Sequence, residues 1–171
     1  MGAFVKWWIL FILMVCAAII TYNLGGFHLV WEGDITKISF VVLVFLTVGT
    51  IRLGYLTYRF TYFQETVKDR RGIPPINIKK EEGWFTSSIC SRIGLLGTIL
   101  GFTMVIASLA NFNPDQPEVA IRALSSGLGV ALYTTLVGQL ANILLSIQSF
   151  NLTQAIQLYL EQKPSKKASP K

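Results

Sequence analysis

The sequence predicts an all-α integral membrane protein, in which four helices cross the bilayer and extend into the cytoplasm. Of its 171 residues, 52% are hydrophobic and only 14% are charged, whereas soluble domains carry about 25% charged residues. Four apolar stretches each approach the length of about 20 residues that a helix needs to cross a bilayer. We therefore expect residues 1–171 to form a single membrane domain.

The first span is expected at about 3–22, around an unbroken apolar run at 7–20. Trp7 and Trp8 at one end and Tyr22 at the other are typical interfacial anchors. A secretory signal peptide is the alternative, but no small-x-small cleavage site follows the run. A retained first membrane helix is the favoured interpretation.

The second span is expected at about 38–57, after a short loop at 23–37. A cytoplasmic connection at about 58–88 follows it. The helix is expected to continue to Gly72, because Pro74 and its neighbouring proline then stop it.

The third and fourth spans are expected at about 89–112 and 123–149, separated by a proline-containing turn. Asp115 is a candidate N-cap there, and Pro117 suits the first turn of the following helix. A cytoplasmic helix and a basic tail at 150–171 complete the chain.

The distribution of basic residues predicts the orientation of the four spans. In this topology only Lys37 and Arg122, of fifteen lysines and arginines, lie on the outer side. This is the positive-inside pattern, and it places both termini in the cytoplasm. Arg52, near the inner end of the second span, is expected to snorkel inward. The net charge of +6 is explained by basic residues that collect on one side of the membrane. The expected partner is therefore the lipid bilayer, and no nucleic acid is expected.

The stretch at 131–149 in the fourth span carries no charge but has one polar, small-residue stripe. Unpartnered amides and hydroxyls are costly in hydrocarbon, so this stripe is expected to face other helices or a wet path. These residues alone do not decide between a contact with other helices and a wet path. The stripe consists of Thr135, Gly138, Gln139, Asn142, Ser146 and Ser149.

The third span contains the most specific motif, GLLGTILG at 94–101. Gly94, Gly97 and Gly101 lie on one helix face, and such small residues let two helix backbones approach closely. Helix packing alone is the favoured interpretation for these glycines. For Thr98, beside them, packing and a polar role are both open.

These two motifs resemble the MotA/TolQ/ExbB proton-channel family. GLLGTILG is similar to the signature of one pore-lining helix, and residues 131–143 resemble a second motif, A-L-x-x-T-x-x-G-x-x-x-A-I. The resemblance implies that Thr98 and Thr135 face the ion path, to which we add Asn142 of the polar stripe. The residues expected to pack helices or contact a partner are Gly94, Gly97, Gly101, Ala131 and Gly138.

The resemblance also implies an assembly in the bacterial inner membrane. The expected complex is a homopentamer around a dimer of a MotB/TolR/ExbD-like single-span partner that carries a membrane aspartate. Glycine and alanine would then give this partner a smooth wall to slide along. No cofactor is expected, and the transported ion would be H⁺ or Na⁺.

Four features depart from the family pattern. TolQ and ExbB have three crossings, whereas this chain has four, as MotA does. Val130 stands where ExbB-type proteins have a glutamate, and Leu144 where the family has a proline. The cytoplasmic connection is shorter than that of MotA, which weakens any assignment to a flagellar rotor.

All acidic residues fall outside the predicted hydrocarbon, whereas proton relays through membranes use intramembrane carboxylates or histidines. Hydroxyls and amides can order water or help to coordinate a cation, so the titrating group is expected from another chain.

The expected function is a subunit of an ion-driven membrane motor or energy-transducing channel. A passive scaffold and a small secondary transporter are the alternatives. No enzyme motif is present, and the process driven stays open.

Overall fold

The computed structural model describes residues 3–66, 82–110 and 117–161, and helices make up nearly all of these ranges. The prediction of an all-α fold is confirmed for the described residues. The helices are α1 (Ala3–Asn23), α2 (Gly26–Gly33), α3 (Ile38–Thr66), α4 (Glu82–Ala110) and α5 (Pro117–Glu161).

Four of these helices are long and apolar enough to cross a membrane, as the sequence predicts. Their candidate spans are Phe4–Asn23, Ile38–Tyr62, Gly83–Ala110 and Pro117–Leu158. The 45 residues of α5 extend for about 68 Å, at about 1.5 Å per residue. This is roughly twice the thickness of the hydrocarbon core, so α5 must leave the hydrocarbon at one end or both.

Helices α4 and α5 both begin before the membrane spans that the sequence predicts. The third long helix begins at Glu82, ahead of the expected membrane entry at about 89, and α5 begins at Pro117. Pro117 suits this position because the first turn of a helix does not use its missing N–H group. The candidate N-cap Asp115 and the expected helix end at Gly72 lie outside the described residues.

Helix α2 lies where a short loop was predicted, and that prediction was wrong. Phe27 and Trp31 are four residues apart and therefore share one helix face. Both rings pack edge-to-face on Phe40 of α3, with ring centroids 5.5 and 5.1 Å apart. This aromatic contact, supplied by another helix, stabilises a segment whose own sequence gave little helical signal.

Asp34 joins α2 to α3 and is completely buried. The Thr36 hydroxyl and the Ser39 backbone N–H donate to its two carboxylate oxygens, each at 2.7 Å. Burial alone would raise the pKa of this carboxyl, but hydrogen bonds from Ser39 and Thr36 outweigh it and hold the pKa below its ordinary value. Asp34 is therefore a charged cap on α3.

Helices α3, α4 and α5 enclose the buried core, while α1 lies at its side. The Trp7 ring of α1 covers Gly54 of α3 so closely that a Cβ at residue 54 would overlap it. The window of α1 that could span a membrane has no buried residue, as expected for a helix facing lipid. The core cluster consists of Val42, Leu53, Phe60, Cys90, Ala141, Leu145 and Leu152.

Candidate functional site

The glycines of α4 bring its backbone against that of the antiparallel helix α5. A Cβ added at Gly101 would lie 2.5 Å from the carbonyl oxygen of Gly127 and 2.6 Å from the amide nitrogen of Ala131. A Cβ at Gly94 would lie 3.1 Å from the Cα atom of Gly138. Side chains at these positions would force the helices apart, so glycine sets the distance between α4 and α5.

Between these contacts, Gly97 faces the side chain of Thr134. Thr134 is completely buried, and its hydroxyl donates to the carbonyl oxygen of Val130 at 2.7 Å. The hydroxyl is thus satisfied within α5, while the Thr134 side chain, with its hydroxyl oxygen nearest, fills the space over Gly97. We assign Thr134 to helix packing, because it has no access to the surface of the chain.

Thr98 and Thr135 meet at the edge of this interface. Their hydroxyl groups are hydrogen-bonded to each other across the two helices. Each hydroxyl also lies near a carbonyl oxygen of its own helix, Thr98 at 3.3 Å from Gly94 and Thr135 at 2.9 Å from Ala131. Both side chains are half-buried, so a group that approaches the open edge can reach the hydroxyl pair.

Polar side chains continue along the same edge from the threonine pair toward the N-terminus of α4. The Gln139 amide donates to the Ser91 hydroxyl at 3.1 Å. One turn further along α5, the Ser146 hydroxyl donates to the Asn142 side-chain oxygen at 3.4 Å. The polar stripe read from the sequence is therefore split. Gly138 is buried against α4, whereas these amides and hydroxyls line the open edge.

In the other direction from the threonine pair, the edge is apolar. Phe102 follows Thr98 by one helix turn and Leu128 precedes Thr135 by two turns, so both share its face. They are 50% and 39% exposed. Hydrogen-bonding side chains thus line only one half of this edge, from the threonine pair to the N-terminal end of α4.

The site contains hydroxyls and amides but no titrating group of its own. Within the four candidate spans, the sequence has one acidic residue, Glu118, in the first turn of α5. The described part of the chain also holds no cluster of three histidine, cysteine or acidic side chains that could bind a metal. The edge can hydrogen-bond a carboxyl group, water or a partly dehydrated cation, but it cannot itself carry a proton at neutral pH.

These features define a multi-pass membrane protein with a closely packed, polar-edged helix pair. The model of the MotA/TolQ/ExbB proton channel family matches residues 84–163. The resemblance to that family is thereby confirmed over nearly half of the chain, a range that includes most of α4 and all of α5. No curated protein and no solved structure matches the chain.

The structure adds residues that sequence reasoning did not select. Gly127 lies opposite Gly101, and Ser91 is the hydrogen-bond partner of Gln139. The signal for Gly127 was its position four residues before Ala131, which extends the small-residue face of α5 by one turn. Ser91 gave no comparable signal, because its partner is 48 residues away in the sequence.

The small residues of α4 that were expected to form a smooth wall for a sliding partner pack against α5 in this chain. Gly94, Gly97 and Gly101 are buried, and each faces α5 of the same chain. Beside the threonine pair, the open edge carries bulky apolar side chains such as Phe102 and Leu128. A partner at this edge would therefore contact leucine, phenylalanine and amide side chains, and the role of the glycines in contacting it stays a prediction.

Proposed function

We propose that this chain is the path-lining subunit of a membrane motor or energy-transducing channel driven by a proton or sodium gradient. The family match supports an energy-transducing membrane subunit. The observation that carries the proposal is the Thr98–Thr135 hydroxyl pair, which joins α4 to α5 at an edge open to a further helix. Asn142 extends this ion path in our proposal.

The missing acid supports a role for a partner chain. A path of hydroxyls and amides needs a carboxyl group that binds and releases the ion, and the spans of this chain supply none beside the threonine pair. We infer that a MotB/TolR/ExbD-like helix brings an aspartate to Thr98 and Thr135. When an ion neutralises this aspartate, the large cost of a charge in a low dielectric disappears, and the partner helix becomes free to move.

The assembly proposed is a pentamer of this chain around two partner helices. Each subunit would offer its α4–α5 edge to the central pair, so that the pentamer steps around the dimer as successive aspartates are neutralised. The family match supports a location in the bacterial inner membrane, and the distribution of lysine and arginine supports both termini in the cytoplasm. The polar half of the edge would then lead from the threonine pair to the cytoplasm.

A passive membrane scaffold is the second candidate. The observation that favours it is the close glycine packing, since the Thr98–Thr135 bond also satisfies both hydroxyls without any ion. The two functions differ in what the hydroxyl at residue 135 does. A scaffold needs only the volume of the Thr135 side chain, whereas an ion path needs the hydrogen bonds of its hydroxyl group.

The test is Thr135→Val, which keeps the shape of the side chain and removes its hydroxyl. The matched control is Thr103→Val on α4, where an exposed hydroxyl bonds only to the Ile99 carbonyl oxygen at 2.8 Å. In vesicles that hold the chain and its partner, ion flux should fall at least tenfold for Thr135→Val, which corresponds to about 1.4 kcal/mol. Thr103→Val should keep wild-type flux.

Subunit counting by native mass spectrometry separates loss of the path from loss of assembly. The pentamer should persist in Thr135→Val, and Thr135→Ser, which restores the hydroxyl, should recover flux. Wild-type flux in Thr135→Val would remove Thr135 from the path and favour the scaffold.

A further inference from the structure

A second surface, on α3, combines positive charge with exposed aromatic rings. Arg52, Tyr55, Arg59 and Tyr62 recur every three or four residues and so share one helix face. The two tyrosines are 60% and 62% exposed, and both arginines are exposed as well. The Arg59 guanidinium lies 5.9 Å from the Tyr55 ring centroid, so this pair already forms a cationic, aromatic surface.

Among the described helices, α1 and the core helices contact the other sides of α3. Trp7 of α1 lies on Gly54, and Phe4 of α1 lies on Tyr58 with ring centroids 5.7 Å apart. Leu53, on the core side, is buried. In the described part of the chain, the basic–aromatic face lies between these two contact sides.

The same face becomes apolar toward the start of α3. Val41, Val44 and Val48 are 47%, 61% and 51% exposed and continue the spacing of the two arginines. An apolar strip that ends in arginine and tyrosine matches the two parts of a phospholipid, its acyl chains and its headgroup. A soluble anion or an acidic peptide would use the basic end but not the apolar strip.

Charge complementarity indicates which headgroup fits. In the predicted topology, thirteen of the fifteen lysines and arginines lie toward the arginine end of α3, against five of the nine acidic residues, which are Glu65, Asp69, Glu81, Glu82 and Glu161. The field at the arginine end is therefore positive and attracts anionic lipid. We propose that this face binds an anionic phospholipid, with its phosphate at Arg59 and Arg52 and its acyl chains along the valine strip. The proposal is independent of the ion path.

The experiment measures lipid selectivity of the full chain in phosphatidylcholine bilayers, with spin-labelled phosphatidylglycerol and spin-labelled phosphatidylcholine as probes. The wild type should retain phosphatidylglycerol preferentially. Arg59→Gln and Arg52→Gln should each lower its association constant about fivefold, the effect of one arginine near an anionic membrane surface. Arg122→Gln, which removes an exposed charge near the start of α5, should leave the selectivity unchanged.

Two further readouts separate lipid from other occupants. Glycerol phosphate in solution should not displace the labelled lipid, since it lacks acyl chains for the valine strip. Subunit association in pure phosphatidylcholine should be the same for Arg59→Gln and wild type. Equal retention of both lipids by the wild type, displacement by glycerol phosphate, or dissociation of Arg59→Gln subunits would each overturn the proposal. Circular dichroism confirms that the variants are folded.

Discussion

Gly101→Ala tests whether close backbone contact holds α4 against α5. The new Cβ would lie 2.5 Å from the Gly127 carbonyl oxygen and 2.8 Å from the Ala131 Cβ, while real contacts of this kind essentially never fall below 3.0 Å. The nearest atoms belong to backbone and to a short side chain, so no rotamer change relieves the overlap. The helices must therefore separate by at least half an ångström.

The expected change in the free energy of unfolding of Gly101→Ala is the balance of a packing cost and a gain in helix propensity. Overpacking of a tight interface costs about 1–3 kcal/mol, and a gap of about 0.5 Å forfeits roughly a quarter of the dispersion energy of the atoms lining it. Alanine, in contrast, favours the helix over glycine by about 1 kcal/mol. We expect a net loss of about 1–2 kcal/mol in the free energy of unfolding. Because Thr98 lies one turn from Gly101, the Thr98–Thr135 bond should weaken too.

The assay is unfolding in mixed dodecyl maltoside and SDS micelles, followed by circular dichroism. Gly129→Ala is the matched control, since its Cβ would meet only the Gly33 carbonyl oxygen at 3.2 Å and no other atom closer than 3.9 Å. Gly101→Ala should unfold at a lower SDS fraction than the wild type, and Gly129→Ala should not. Equal stability of both variants would show that glycine does not set the α4–α5 distance.

Three further predictions concern the other contacts. Asp34→Ala should cost about 1 kcal/mol as a lost helix cap. Because the native pKa of Asp34 is lowered, wild-type stability in thermal melts should fall as the pH drops below the ordinary value of 3.8, and the variant should lack this step. Gly54→Val should displace Trp7 and raise hydrogen exchange in α1, whereas exchange like that of the wild type would refute the contact. Tyr133→Ala should release Gly33 and speed proteolysis at α2, and unchanged cleavage would argue against it.

Local composition was enough to predict the long helices. The length and hydropathy of each apolar stretch are properties of the stretch itself, so the four candidate spans could be found without knowledge of their neighbours. The start of α5 at Pro117 was predictable for the same reason, because proline restricts the backbone at its own position. Helix α2 was missed because its stability comes from Phe40, a residue of another helix.

The candidate site was only partly visible in the sequence. Spacing identified one stripe on α5 with Thr135, Gly138 and Gln139, but spacing does not show which part of a stripe another helix covers. The structure places Gly138 in the α4 contact and leaves Gln139 on the open edge. The roles of Thr135 and Asn142 in an ion path stay predictions.

The sequence by itself determined which stretches are long and apolar enough to cross a membrane and which of them carry small and polar residues, because both follow from the order of side chains along one helix. Only the tertiary structure decided that Thr98 and Thr135, which are 37 residues apart, share a hydrogen bond. That pairing depends on the register of two antiparallel helices, in which Gly94 and Gly101 of α4 lie against Gly138 and Gly127 of α5.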